Sequence, residues 1–181
     1  MEVYGAPFDH PVLRAVVRFA AFTVPACYWL WRCRPPGRDR LGIVTHWQRG
    51  VAVGVGASAL LWLAHSGMPM QLPFGVHAWL NVIVLSPIAE ELLFRRVAVD
   101  YLTTRLRGAA AIVISALLFA GMHVPLWLIS GEKSALEMAQ LGGLMFIYGL
   151  AFGLLYLWTR SLWSSLLPHS VNNLIAESLS H

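Results

Sequence analysis

Charge is what this chain has least of. Only 12% of its 181 residues are Asp, Glu, Lys or Arg, about half the share of an ordinary soluble domain. A hydrophobic share of 57% and a mean hydropathy of +0.62 complete the picture and exclude a typical water-soluble globule. Lysine is nearly missing: Lys133 stands alone beside twelve arginines. The arginines gather in short segments between apolar runs, as cytoplasmic membrane loops do. The net charge of +4 therefore speaks for topology, and no nucleic-acid partner is expected. Cysteine is scarce too. Cys27 and Cys33 give neither a zinc-type spacing nor a disulfide framework. The first twenty residues lack a basic start and a clear cleavage site, so a signal peptide is not expected. G-x-S-x-G and H-E-x-x-H are both absent, which removes the serine-hydrolase elbow and the soluble zinc-protease helix. No internal repeat or low-complexity tract interrupts the chain.

What is present is a series of apolar runs, several near the 20 or so residues that a membrane crossing needs. Six spans are expected, at about Val12–Trp31, Gly50–Ser66, Val76–Leu106, Ala109–Ile129, Met138–Trp158 and Leu162–Leu179. The fold class is all-α: one transmembrane domain over residues 1–181, a polytopic bundle of about six helices. The second run, "GVAVGVGASALLWLAH", is glycine-rich and suits close helix packing. Loop charges alternate. "RCRPPGRDRLGIVTHWQR" holds five arginines and one aspartate, "GMPMQLPFG" holds no charge, and "SGEKSALE" is net negative. The positive-inside rule then places both termini outside the cytoplasm. The expected location is the cell inner membrane or plasma membrane, crossed several times, with the lipid bilayer as a partner.

The polar residues inside these runs carry the functional reading, because charge in lipid is costly and tends to be paired or used. "SPIAEELLFRR" puts Glu90, Glu91 and Arg95 in the third span. Glu91 and Arg95 are four apart and share a helix face. Glu90 is turned about 100° from Glu91 and is left without a local partner. "FAGMH" places Phe119 and His123 on one face of the fourth span. "HSVNN" places His169 and Asn173 on one face of the sixth, with Asn172 beside them. Pro168, just before His169, removes a helical hydrogen bond there. A single intramembrane His or Asn is often interhelical glue, but glue does not require two adjacent carboxylates. The other polar residues read blandly. His65 and His77 are interfacial, His10 and His46 lie in or near loops, and His181 is terminal. Asp100 reads as a surface ion pair, Glu177 as solvated, and Arg96 as marking the approach to the cytoplasmic interface.

A carboxylate and a histidine shielded from bulk water form a general-base site. A second histidine with an amide on its face supplies donors for an oxyanion. The reaction class is hydrolysis of a peptide bond by an activated water. Glu and two His could also hold zinc with one open position, and the residues alone leave that alternative open. A proton-coupled transporter using the same groups as a relay, or a non-catalytic immunity or scaffold protein, are the rival classes.

"EELLFR", "FAGMH" and "HSVNN" together resemble the three motifs of the CPBP family, the CAAX-protease and bacteriocin-processing intramembrane endopeptidases. The family patterns are E-E-x-x-x-R, F-x-x-x-H and H-x-x-x-N. All three occur here in order on three runs, and the resemblance covers about residues 80–175. It implies a glutamate-type peptidase with no cofactor or metal. Glu90 would activate the water with help from His123, and Glu91 would pair with Arg95. His169 and Asn173 would form the oxyanion side, and Phe119 would pack beside His123. The partner would be a membrane-embedded or membrane-associated protein or peptide. Two departures bear on the substrate. Arg96 stands where the family often has glycine, and the chain is short for the prenyl-protein branch. The resemblance then points to C-terminal sorting or anchor segments of exported proteins, with leader-peptide processing sharing most of the same features.

Overall fold

The structure is a computed structural model that describes residues 11–33, 39–73, 75, 78–131 and 133–179, with backbone alone for residues 11, 12 and 14. His10, His77 and His181 lie outside the described residues. The described chain is helical, without strands. Its helices are α1 (Pro11–Cys33), α2 (Trp47–His65), α3 (residues 78–102), α4 (Gly108–Gly121), α5 (Val124–Ser130), α6 (Ala135–Thr159) and α7 (Trp163–Leu179). The expected runs and the observed helices agree closely, with two differences in winding.

The first difference is in α3. Wide, π-type turns occupy Ala78–Leu85 and Leu92–Val99, and the piece between them, Ser86–Glu91, is regular α-helix. Pro87 has no N–H to give to the turn before it and sits where the winding changes. The second difference is a break in the fourth run. Met122 and His123 form a turn between α4 and α5. Pro125 lies in the first turn of α5, where its missing N–H is tolerated and where continuing α4 unbroken would cost a hydrogen bond. The break puts His123 at a helix end. At the start of α6, Ser134 and Glu137 form a capping box: Ser134 Oγ accepts from the Glu137 N–H, and the Glu137 carboxylate accepts from the Ser134 N–H at 2.8 Å.

Small residues set the closest helix contacts. A Cβ on Gly50 would fall 2.3 Å from Ser161 Oγ, and one on Gly54 would fall 2.5 Å from the Trp163 carbonyl. The glycines of α2 thus let its backbone approach the start of α7, as the glycine-rich run suggested. On α6, a Cβ at Gly149 would fall 2.9 Å from the backbone of Ala116, and one at Gly153 would meet Ile112 at the same distance. Two helical segments, 108–130 and Ala135–Thr159, are long and apolar enough to cross a membrane. Large apolar side chains point outward: Ile129 is 83% exposed, and Leu60 and Leu136 are each 69% exposed. Apolar area on that scale is unusual on the surface of a soluble monomer.

One end of the bundle is tied shut. Arg96, buried on α3, donates from Nε to the Arg40 carbonyl at 2.8 Å and from Nη2 to the Asp39 carbonyl. Its Nη1 reaches Asp100 Oδ2 at 2.8 Å and the Tyr156 hydroxyl at 3.2 Å. Tyr156 in turn donates to Asp100 at 2.8 Å, and Arg160 lies 3.6 Å away from it. Asp39 accepts from the N–H groups of Ile43, Val44 and Thr45. Burial alone would raise the Asp39 carboxyl; these hydrogen bonds outweigh it and hold its pKa below the ordinary value. The expectation of a surface pair at Asp100 is corrected here. The residue is 6% exposed, because α6 covers it with Tyr156. Arg96 likewise does more than mark an interface: it joins three segments of chain.

Candidate active site

The parts of α3, α7 and the end of α4 that carry the motif residues converge, together with α6, on a half-open cavity of about 600 Å³. Glu90, Phe119, His123, His169 and Asn173 all line it. Glu91 and Arg95 lie behind that wall, fully buried.

His169 bridges the two carboxylates. Its Nδ1 is 2.9 Å from Glu91 Oε1, and its Nε2 is 3.6 Å from Glu90 Oε2. The ring is held on both sides. Phe152 stacks on it at 5.0 Å with 22° between planes, and Phe119 meets it edge-on at 5.8 Å. The same two rings hold Arg95, whose guanidinium carbon is 5.1 Å from the Phe119 centroid and 5.9 Å from that of Phe152. Arg95 Nε is 3.2 Å from Glu91 Oε2, an ion-pair distance. Its N–H is not aimed at that oxygen, however, and among the described residues none of the three guanidinium nitrogens makes a hydrogen bond. The expected Glu91–Arg95 pair is therefore met in distance. Coulomb attraction and aromatic faces hold it, without the aligned hydrogen bonds of a forked pair.

Glu90 differs from expectation. Ser86, one turn earlier, donates its hydroxyl to Glu90 Oε1 at 2.7 Å, and Arg18 Nη2 from α1 donates to the same oxygen at 3.0 Å. The residue is 3% exposed, so these partners meet the cost of burying its charge. Oε2 is left facing His169 and the cavity. His123 donates from Nδ1 to the Phe119 carbonyl one turn back at 2.9 Å, which leaves Nε2 for the cavity. Asn173 uses one amide hydrogen on the Val82 carbonyl at 2.9 Å; the second hydrogen is free for another acceptor. Asn172 and Glu177 also line the cavity, Glu177 half-exposed near the end of α7. Among the described residues, no three His, Cys, Asp or Glu side chains are placed to hold a metal ion.

Comparison with known proteins now bears on this geometry. A family model described as Type II CAAX prenyl endopeptidase Rce1-like matches residues 71–175, more than half of the chain. The chain belongs to this family. The Rce1-like assignment makes it a membrane peptidase, a hydrolase of the CPBP group, as the motif resemblance implied. No curated protein and no solved structure gives a match. The Rce1-like match begins just before α3 and ends within α7, so it contains all three motifs and leaves α1 and α2 outside. Three residues that line the cavity come from beyond it: Arg18 in α1, and Ala176 and Glu177 at the end of α7. The sequence did carry a signal for Arg18, an arginine in an apolar run, by the same rule that singled out Glu90. Ser86 was signalled by its one-turn spacing from Glu90. Phe152 and Tyr148 were not, since aromatic residues in an apolar helix look like core.

Proposed function

We propose that this chain is an intramembrane endopeptidase in which Glu90 activates the attacking water. The observation that carries the proposal is the bridging of Glu90 and Glu91 by His169 on the floor of a cavity that also takes in His123. Glu90 Oε2 accepts a proton as the water oxygen bonds to the scissile carbonyl carbon, and His123 Nε2 orients that water. The carbonyl becomes an oxyanion facing the second amide hydrogen of Asn173 and the His169 ring. The C–N bond then breaks, the leaving nitrogen takes the proton held by Glu90, and the products are a carboxylate and an amine. Glu91 keeps His169 in one orientation, and Arg95 balances the two carboxylates from behind.

The six helical units α1, α2, α3, α4 with α5, α6 and α7 each cross the bilayer in this reading. The tied end lies in the cytoplasm and both termini lie outside. The substrate is a membrane-associated protein, presented as an extended segment. Support comes from the family description, the outward apolar surface and the arginine-rich connections at the tied end. The test is Glu90→Gln, which keeps the volume and removes the base. Membranes expressing it should contain folded protein and accumulate uncut substrate. Cleavage at the normal rate by Glu90→Gln would end this assignment.

A further inference from the structure

Among the described residues, the lining of the cavity extends toward one end of the bundle. From the floor at Glu90 and His169, each wall runs the same way: along α3 to Val82, along α7 through Asn173 to Glu177, along α6 through Met145 to Leu141, and past His123 to Trp127. All of these lead away from the end tied by Arg96, Asp100 and Tyr156. A second cavity of about 420 Å³, apolar, lies toward the tied end between α1 and α7 and reaches Glu91, but neither Glu90, His123 nor His169 lines it. It is therefore no path to the reacting groups.

The two ends also differ in charge. Among the described residues, the connections at the tied end, between α1 and α2, α3 and α4, and α6 and α7, hold Arg40, Arg105, Arg107 and Arg160 against Asp39 alone. At the mouth end, the described residues of the connections between α2 and α3 and between α4 and α6 hold one charge, Lys133. Arginine in short loops fixes the cytoplasmic side of a membrane protein. The mouth and the arginine-bearing connections are on opposite ends.

We infer that the catalytic cavity opens to the non-cytoplasmic side, and that its substrate is the exported-side segment of a membrane-anchored protein, with no cytoplasmic tail as substrate. The inference rests on the multi-span peptidase reading above and adds the direction of approach. It also bounds the shape of the substrate. His169 and Glu177 are eight residues apart on α7, about 12 Å of helix. An extended chain covers that depth in about four residues, so the scissile bond must sit in an unfolded stretch at least that long.

The test uses two measurements on the full chain in cells. In a Cys27→Ser, Cys33→Ser background, Gln71→Cys marks the mouth end, where the Gln71 N–H bonds to the Ser178 carbonyl. Thr104→Cys marks the tied end. A membrane-impermeant maleimide should label Gln71→Cys in intact cells, and Thr104→Cys only after permeabilisation. The reverse pattern overturns the inference and leaves the peptidase reading standing. Second, chain termini in membrane fractions are compared between wild type and Glu90→Gln. Termini that depend on Glu90 should map to the exported side of their proteins' spans. Glu90-dependent termini on the cytoplasmic side overturn the inference. The absence of any Glu90-dependent terminus overturns the peptidase reading instead.

Discussion

Replacing Arg96 with methionine keeps the apolar stem and removes a guanidinium that binds at four places. Asp100, 6% exposed, would lose its 2.8 Å partner. The carbonyls of Asp39 and Arg40 would lose their donors. Breaking a buried ion pair from one side costs about 3–5 kcal/mol, and each lost hydrogen bond on a half-buried carbonyl costs about 1 kcal/mol. Two features offset this. Arg160 stays 3.6 Å from Asp100, and Tyr156 still donates to it at 2.8 Å. The net expectation is about 3 kcal/mol, or a fall in Tm of roughly 6–12 °C for a chain of this size. Thermal unfolding in detergent, followed by aggregation or tryptophan fluorescence, measures it. Asp100→Asn and the double variant Arg96→Met/Asp100→Asn complete a cycle. The double variant should lose clearly less than the sum of the singles, by about 1–3 kcal/mol, because neither then strands a charge. A Tm for Arg96→Met within about 2 °C of wild type, or strict additivity in the cycle, would show that this network does not hold the tied end together.

Other expectations follow from the same structure. Phe152→Leu removes the face that stacks on His169 and covers Arg95. Substrate cleavage should fall about ten-fold in kcat, near 1.4 kcal/mol, with KM little changed; an unaltered kcat would deny Phe152 a positioning role. Gly54→Val drives a Cβ to 2.5 Å from the Trp163 carbonyl and should cost about 1–3 kcal/mol by overpacking. Gly56→Ala, with nothing within 4 Å, should be neutral or stabilising by about 0.5–1 kcal/mol; equal losses from both would refute the packing argument. Asp39→Asn should cost about 0.5–1 kcal/mol, reduced by solvent screening. A carboxylate with a depressed native pKa stabilises above its unfolded value near 3.9 and loses that contribution as pH falls through the native value. The gap between wild type and Asp39→Asn should therefore persist at neutral pH and close in acid, which unfolding curves taken across that range will show.

Helix positions were legible because a membrane chain spells them in long apolar runs, and the three motifs were legible because i, i+4 spacing aims two side chains at one point. What escaped was relational. Arg18 is an arginine in the first apolar run, but its partner Glu90 is seventy-two residues away, and only packing of α1 against α3 reveals the pair. Asp100 looked like a surface residue because neighbouring arginines suggested solvent; the buried hydroxyl that covers it comes from Tyr156 on another helix. The turn at Met122 and His123 had a marker in Pro125, whereas nothing in the composition of "LLFRRVAV" announces its wide winding.

That winding gives the motif helix a tolerance to changes of length. A wide turn spends one more residue per hydrogen-bonded loop than an α turn does. Deleting one residue within Leu92–Val99 and restoring ordinary α winding removes that extra residue, so the side chains beyond the deletion keep their face relative to Glu90 and Glu91. The regular piece Ser86–Glu91 has no such slack, and a deletion there turns one part of the helix against the other by about 100°. Length variation among homologues should therefore fall within the wide turns and spare the piece that carries the two glutamates.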